Sequence, residues 1–355
     1  MSVSLVVLLP ILLLGIVSVF CFVGCILQTH GIPFTEYSKL TVLGDPAIAA
    51  YWPLDEAKDT LAAHDAAPNP VPGKYVDMNT LNLAPVTPGF VYPWPQVPIP
   101  NPPGPDALSA APPGTLSLGQ PGLVTGDAKQ PGNDPTVLTT CMVVNGAYVE
   151  VPFDPKWNTA SFTVEAWVQV GWTADTNVDP LAWRAVLDGR AQDPICKGFA
   201  IIAKVDDKQP ASPAPPAYHW AVIVGNGGSG VPGFSFLQDA GPQITLLNPN
   251  PPPEQPPAVP VYLAVTYDAA SMTLTLFVNG VLSVQQTNQP FAVNTSSPLY
   301  IGAGVPYSPN RQASNSPSGG PLFPFNGAIQ DVAIYNAALS PTNIQSHFTQ
   351  GRANL

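Results

Sequence analysis

The sequence predicts an all-β fold: a two-sheet antiparallel sandwich, preceded by one N-terminal transmembrane helix and closed by a short C-terminal helix. Three observations carry that expectation. From Val261 to Gly302 the chain reads VYLAVTYDAASMTLTLFVNGVLSVQQ and, after a gap, PLYIG, with β-branched and aromatic residues in frequent period-two alternation. Asn279-Gly280 stands between the runs Thr273–Val278 and Val281–Gln286. Asn-Gly between alternating runs marks a hairpin, because a type I′ turn needs positive φ at both central residues. Finally, the 355 residues include 46 prolines, which disfavour helices and central strands and suit loops, edges and extended connections.

Charge narrows the function. Charged residues make up 10% of the chain and the net charge is −11. The twelve Lys and Arg residues are scattered, so no basic patch forms. That balance argues against nucleic acid, or an anionic membrane surface, as the main partner.

In chain order, Val3–Leu27 is almost uniformly apolar and no charged side chain precedes Glu36. Val3, Leu8, Leu13, Val19 and Leu27 mark a span long enough for a bilayer core of ~30 Å at about 1.5 Å per residue. Pro10 would kink it mildly, as membrane helices tolerate. An uncleaved anchor is the favoured reading. A cleaved signal competes poorly because there is no basic n-region. A lipoprotein signal acylated at Cys25 lacks that region too. The simplest topology leaves the N-terminus in the cytoplasm and exports the main domain to a periplasmic or extracellular space. Residues 28–45 then form a juxtamembrane tether, of which Thr35–Leu43 could pack on the domain or on a neighbour, and 46–355 form the sandwich.

Within the sandwich, Ile48–Asp55 reads as a strand, with Trp52 filling core or rim. Residues 77–113 read as a proline-rich insertion, extended and partly polyproline II. Phe90, Tyr92, Trp94, Val97 and Ile99 make this arm too apolar for a solvated loop, so it is expected to lie against its own domain or a partner. Strands follow at Leu116–Val124, Val137–Val144, Ala147–Val151, Ser161–Val170, Ala185–Asp188, Gly198–Val205, Tyr218–Val224 and Phe234–Leu237. Ser340 as N-cap, with Pro341 at the first helical position, starts a helix that Gly351 ends.

Several stretches, in order, resemble laminin-G-like, concanavalin A-like jelly-roll domains: AAYWPLDEA at 49–57, YVEVPFDPKWNTASFTVEAWVQV at 148–170, the Val261–Gly302 stretch, and FNGAIQDVAIYNAALSPTNIQSHF at 325–348. The resemblance implies a jelly roll from about Ile48 to Phe348, with Glu165 and Trp167 as framework residues. It also brings in a rim calcium. Asp55, Asp127, Asp268 and Asp331 offer hard oxygen ligands, but Gln330-Asp331 stands where the family often has two acidic residues. No metal ligand is therefore assigned, and no cofactor is expected beyond that structural calcium. The fold hosts lectins, glycosidases, adhesion modules and structural domains, so it does not assign a role.

The chemistry-bearing residues are sparse. Cys141 and Cys196 in the exported domain are a disulfide candidate, worth about 4 kcal/mol on the loop-entropy model if bonded; the alternative is two buried thiols. A glycosidase needs two carboxylates about 5–9 Å apart. Asp55/Glu56 and Asp206/Asp207 are poorly placed, and Glu150 and Glu165 are isolated in their strands. Four histidines and no G-x-S-x-G leave no triad. The sequence thus points to a non-catalytic membrane-anchored protein whose sandwich is an accessory subunit docking on other subunits of a larger membrane complex. The alternative is a lectin-like module binding glycans through Trp94, Trp172 and Trp183, and a divergent glycosidase comes third.

Overall fold

The computed structural model describes residues 37–56, 60–77, 115–124, 140–145, 147–171, 184–191, 196–205, 218–228, 233–241, 244, 259–304 and 325–352. They form two antiparallel sheets packed face to face, with one C-terminal helix. The first sheet contains β1 (Ile48–Trp52), β4 (Thr115–Pro121), β5 (Thr140–Asn145), β7 (Phe162–Val170), β12 (Val261–Asp268), β13 (Thr273–Val278), β14 (Val281–Gln286) and β16 (Asn326–Tyr335). Its order is β14-β13-β12-β7-β16-β5-β4, with β1 also on β16. The second contains β2 (Ala62–Ala63), β3 (Gly73–Asp77), β6 (Ala147–Val151), β8 (Arg184–Asp188), β9 (Phe199–Val205), β10 (Tyr218–Gly225), β11 (Phe234–Gln238) and β15 (Leu299–Ile301), in the order β11-β10-β9-β8-β15-β6-β3-β2.

Period-two alternation gives each strand one inward face. Val164, Val168, Leu263, Val265, Ile329 and Ile334 meet Val149, Ile201, Val222 and Ile301 in one interior cluster. Trp52 lies fully buried there, edge-on to Trp157 with ring centroids 5.5 Å apart.

The long strand β16 changes neighbours half-way. Asn326–Ile329 pair with β5, whereas Val332–Tyr335 pair with β1. Asp331 sits at the switch with φ 52°, and its amide donates to the Pro53 carbonyl at 3.0 Å. Asn279 and Gly280 have φ 52° and 74°, both positive as the turn type requires. A β-carbon on Gly280 would also stand 2.9 Å from Phe348 Cβ. This turn therefore needs glycine for its backbone and for the helix beside it.

That helix, α1 (Pro341–Gly351), begins where the sequence places it. Ser340 Oγ accepts the Asn343 amide at 3.2 Å. Ser340→Ala is expected to lower stability by about 1 kcal/mol, read as a lower urea midpoint at unchanged m-value; an unchanged midpoint would contradict the cap.

Three sequence expectations change. β1 ends at Trp52, and Asp55 and Glu56 lie beyond the strand. The second half of the tether is built into the domain: Tyr37–Val42 forms a π-helical turn whose Tyr37 and Val42 are buried in an apolar cluster on the outer side of the first sheet. Cys141 and Cys196 form no disulfide. Cys141 belongs to that outer cluster of the first sheet and Cys196 to one on the second, so the core lies between them. Burial pushes the Cys141 thiol up to about 12, and the Asp331 carboxylate pushes it the same way.

The anchor residues Val3, Leu8, Leu13, Val19 and Leu27 lie outside the described residues, as do the arm residues Phe90, Tyr92, Trp94, Val97 and Ile99. So do Trp172, Trp183 and Asp127. Among the described residues no helix is long and apolar enough to cross a membrane.

Candidate functional site

On the second sheet the residues between the inward ones point outward. Lys74, Glu150, Tyr300, Asp188, Ala200, Ile223 and Phe236 are successive register partners across β3, β6, β15, β8, β9, β10 and β11. One cross-strand row therefore crosses the whole outer face, polar at one end and apolar at the other. Cross-strand partners stand about 5 Å apart, so each residue of the row neighbours the next across the sheet.

At the polar end Lys74 is exposed and Glu150 half-buried. Tyr300 meets Tyr148 edge-on, with centroids 5.7 Å apart. Tyr148 is raised above the usual phenol range, first by burial and then by the Glu150 charge. Beside them lies an open groove of about 420 Å³ lined by Leu61, Ala62, Pro72, Gly73, Lys74 and Glu150. Gly73 is required there, because a β-carbon would lie 2.2 Å from Val149 Cγ1. Behind the groove, Glu56 accepts the Tyr75 hydroxyl and the His64 amide, each at 2.5 Å. At mid-row the Asp188 carboxylate takes Arg190 Nε at 2.9 and 3.1 Å and Nη2 at 2.6 Å. The Arg190 guanidinium lies 5.4 Å over the Phe234 ring.

The segment carrying Trp172 and Trp183 leaves β7 after Gly171 and rejoins at Arg184. Its two ends are tied together, since Arg184 Nη1 donates to the Gly171 carbonyl at 2.5 Å. Arg184 in turn sits 4.8 Å over Tyr218.

The first sheet carries a second polar group, closed to solvent. Glu165 accepts the Tyr335 hydroxyl at 3.0 Å and faces His347 Nδ1 at 2.9 and 3.1 Å. The Tyr262 hydroxyl is buried on the same side, and burial followed by the Glu165 charge holds it well above the usual phenol range. Trp167 Nε1 donates to the Tyr37 hydroxyl at 3.3 Å. This group has the chemistry of an interior lock: its carboxylate is fully buried and already bonded.

Other described carboxylates also serve the fold. Asp65 accepts the amides of Tyr51, Ala67 and Val71 and the Lys156 ammonium. Asp268 caps its turn through Ala270 and Ser271, and the Ser271 hydroxyl lowers its carboxyl below the ordinary value. Asp331 is buried and accepts the Tyr51 hydroxyl. Asp55 is exposed on the surface, and its carboxyl is raised first by desolvation and then by Glu56. Asp55, Asp268 and Asp331 do not converge. Among the described residues no group of three His, Cys, Asp or Glu side chains is placed to hold a metal ion, so the calcium implied by the resemblance finds no fit there.

Sequence reading missed the row. Glu150 and Tyr300 each stand at an outward position of a short strand, but nothing local says that β15 lies between β6 and β8.

A laminin-G-type family model, described as the concanavalin A-like lectin/glucanases superfamily, matches residues 213–345. The match takes in β10 through the first turn of α1, with Ile223, Phe236 and Tyr300 of the outer row. A comparison with curated proteins finds no match. Among solved structures, the chain is similar to the botulinum neurotoxin serotype D/C VPI 5993 binding domain, at 12% identity and TM-score 0.45, over 86% of this chain and 52% of that one. It is similar to domain 4 of AbnA, a GH43 extracellular arabinanase from Geobacillus stearothermophilus in complex with arabinotriose, at 16% identity and TM-score 0.33, over 77% and 96%. It is also similar to the Ruminococcus gnavus IT-sialidase CBM40 bound to alpha2,3 sialyllactose, at 14% identity and TM-score 0.33, over 52% and 81%. The chain spans about half the length of the first such structures.

Proposed function

We propose that this protein is a non-catalytic, lectin-like module that binds glycans on the outer face of its second sheet. The observation that carries the reading is the polar–aromatic row Lys74–Glu150–Tyr300, set on a sandwich whose residues 213–345 match a lectin and glucanase superfamily model. Sugars offer alternating apolar patches and hydroxyls. A tyrosine presents an apolar ring and a polar tip, and Lys and Glu beside it supply a donor and an acceptor. The non-catalytic part draws support from the described carboxylates that are bonded within the fold.

The test is glycan-array binding by the full chain, followed by titration of the best hit. Tyr300→Ala is expected to weaken binding roughly tenfold or more, equivalent to about 1.4 kcal/mol. Trp183→Ala, next to Arg184 at the start of β8, is expected to weaken it as well. Array binding that survives both substitutions would overturn this placement of the site.

A second reading concerns attachment, and the apolar run Val3–Leu27 favours it. On this reading residues 3–27 anchor the chain in a bilayer, with the N-terminus cytoplasmic and the sandwich periplasmic or extracellular. The accessory-subunit role draws on the same run and on the apolar arm Phe90–Ile99. Stoichiometric membrane proteins co-migrating after mild-detergent extraction would favour that role; a lone monomer would leave the glycan reading in front.

A further inference from the structure

We infer that the outer face of the first sheet, centred on α1 and the Tyr37–Val42 turn, is the side of the domain that meets the lipid bilayer. This rests on the anchor reading of residues 3–27 and adds to it an orientation and a contact surface.

The chain enters the described domain at Tyr37, and that entry is fixed. Tyr37 is 1% exposed. Its ring stands edge-on to Trp167 with centroids 6.4 Å apart, and Trp167 stacks on Phe348 of α1 at 5.9 Å. The turn, β7 and α1 thus form one packed unit. Residues 28–36, between the end of the apolar run and this unit, reach at most about 30 Å when fully extended. A tether that short turns the face bearing the entry point toward the membrane.

The chemistry of that face suits a lipid surface. The chain carries a net charge of −11, which an anionic headgroup layer repels. Here, however, Glu165 and Asp331 are closed to solvent, 0% and 2% exposed, and Asp45 after the turn is half-buried. The solvent side of α1 presents Thr342, Asn343, Gln345, Ser346 and Thr349, all uncharged hydrogen-bonding groups. Leu40 on the turn and Leu282 on β14 flank the helix, 57% and 49% exposed. Leu282 lies on this face because its register partner Phe277 belongs to the outer cluster with Trp167 and Tyr262. Isolated exposed leucines need no explanation on an ordinary surface; beside an anchored entry point they become the groups that reach the headgroup–acyl boundary. The row Lys74–Glu150–Tyr300 lies on the other sheet and faces away from the bilayer.

The test uses the full chain, with Cys21→Ser and Cys25→Ser, reconstituted into phosphatidylcholine vesicles. A bimane label is placed at Leu40→Cys, Leu282→Cys or Leu61→Cys, the last in the groove of the second sheet. Brominated lipid is expected to quench the labels at 40 and 282 several-fold more than the label at 61. Equal quenching at all three sites, or stronger quenching at 61, in vesicles that keep the protein through alkaline extraction would overturn the orientation alone. Release of the protein by alkaline extraction would overturn the anchor reading, and the orientation with it.

Discussion

Replacing His347 with leucine is expected to cost about 3–5 kcal/mol of folding stability, the range for removing one partner of a buried ion pair. The reason is the group left behind. Glu165 is fully buried, and the imidazole is the neighbour that answers its charge. The Tyr335 hydroxyl supplies one hydrogen bond but no charge. Leucine fills the volume and leaves the carboxylate facing apolar atoms. The same pair makes stability depend on pH. Burial alone would lower the His347 value, but the Glu165 charge and hydrogen bond, with a smaller contribution from Asp45, raise it above its ordinary 6.5. The groups facing the ring from packed elements are Glu165 on β7, Tyr335 on β16 and, after the turn, Asp45. A raised histidine stabilises the fold fully below the unfolded value, and the contribution is lost as pH rises through the folded value. Urea midpoints of the natural protein should therefore fall as pH climbs from about 6.5, whereas His347→Leu should be weaker throughout and flatter over that window. Parallel pH profiles for the two proteins would show that the pair does not carry the effect.

His347 also marks what could and could not be read from the sequence. The start of the helix was legible because its signals are local: Ser340 and Pro341 fix it whatever the helix packs on. The hairpin at Asn279-Gly280 was legible for the same reason, and most other strand positions followed from alternation. Glu165 could be recognised as framework only through the family motif around it. Its partner lies 182 residues away, and no local rule pairs a strand carboxylate with a helix histidine across that distance. Tyr37–Val42 carries no helical pattern; it is ordered by Trp167 and α1, which are tertiary contacts. The disulfide expectation failed likewise. Two cysteines in an exported domain suggested a pair, whereas Cys141 lies in the outer cluster of the first sheet and Cys196 in that of the second. The row on the second sheet was hidden because strand order is a long-range property: β15 from late in the chain enters between β6 and β8.

Arg190→Leu is expected to destabilise the second sheet by a similar ~3–5 kcal/mol. Asp188 is 0% exposed and Arg190 is 3% exposed. The guanidinium meets the carboxylate with two nitrogens in a fork, the strongest geometry for such a pair. Once the arginine side chain is gone, Asp188 keeps the backbone amide of residue 190 at 3.0 Å and loses the guanidinium fork. The decisive comparison is a double-mutant cycle with Asp188→Asn. If the cost comes from an uncompensated charge, the double variant should recover much of what Arg190→Leu loses, because an amide can be buried at lower cost than a carboxylate. If the cost comes from lost packing of Arg190 over Phe234, the double variant should be no more stable than the single one. Asp188 and Tyr300 are register partners, so the cycle also bears on the glycan site. The double variant should bind glycan closer to the natural level than Arg190→Leu does, because restoring β8 restores the strand against which Tyr300 is aligned. Recovery of stability without recovery of binding would place the Asp188–Arg190 pair itself in the glycan contact, beside Tyr300 rather than merely supporting it.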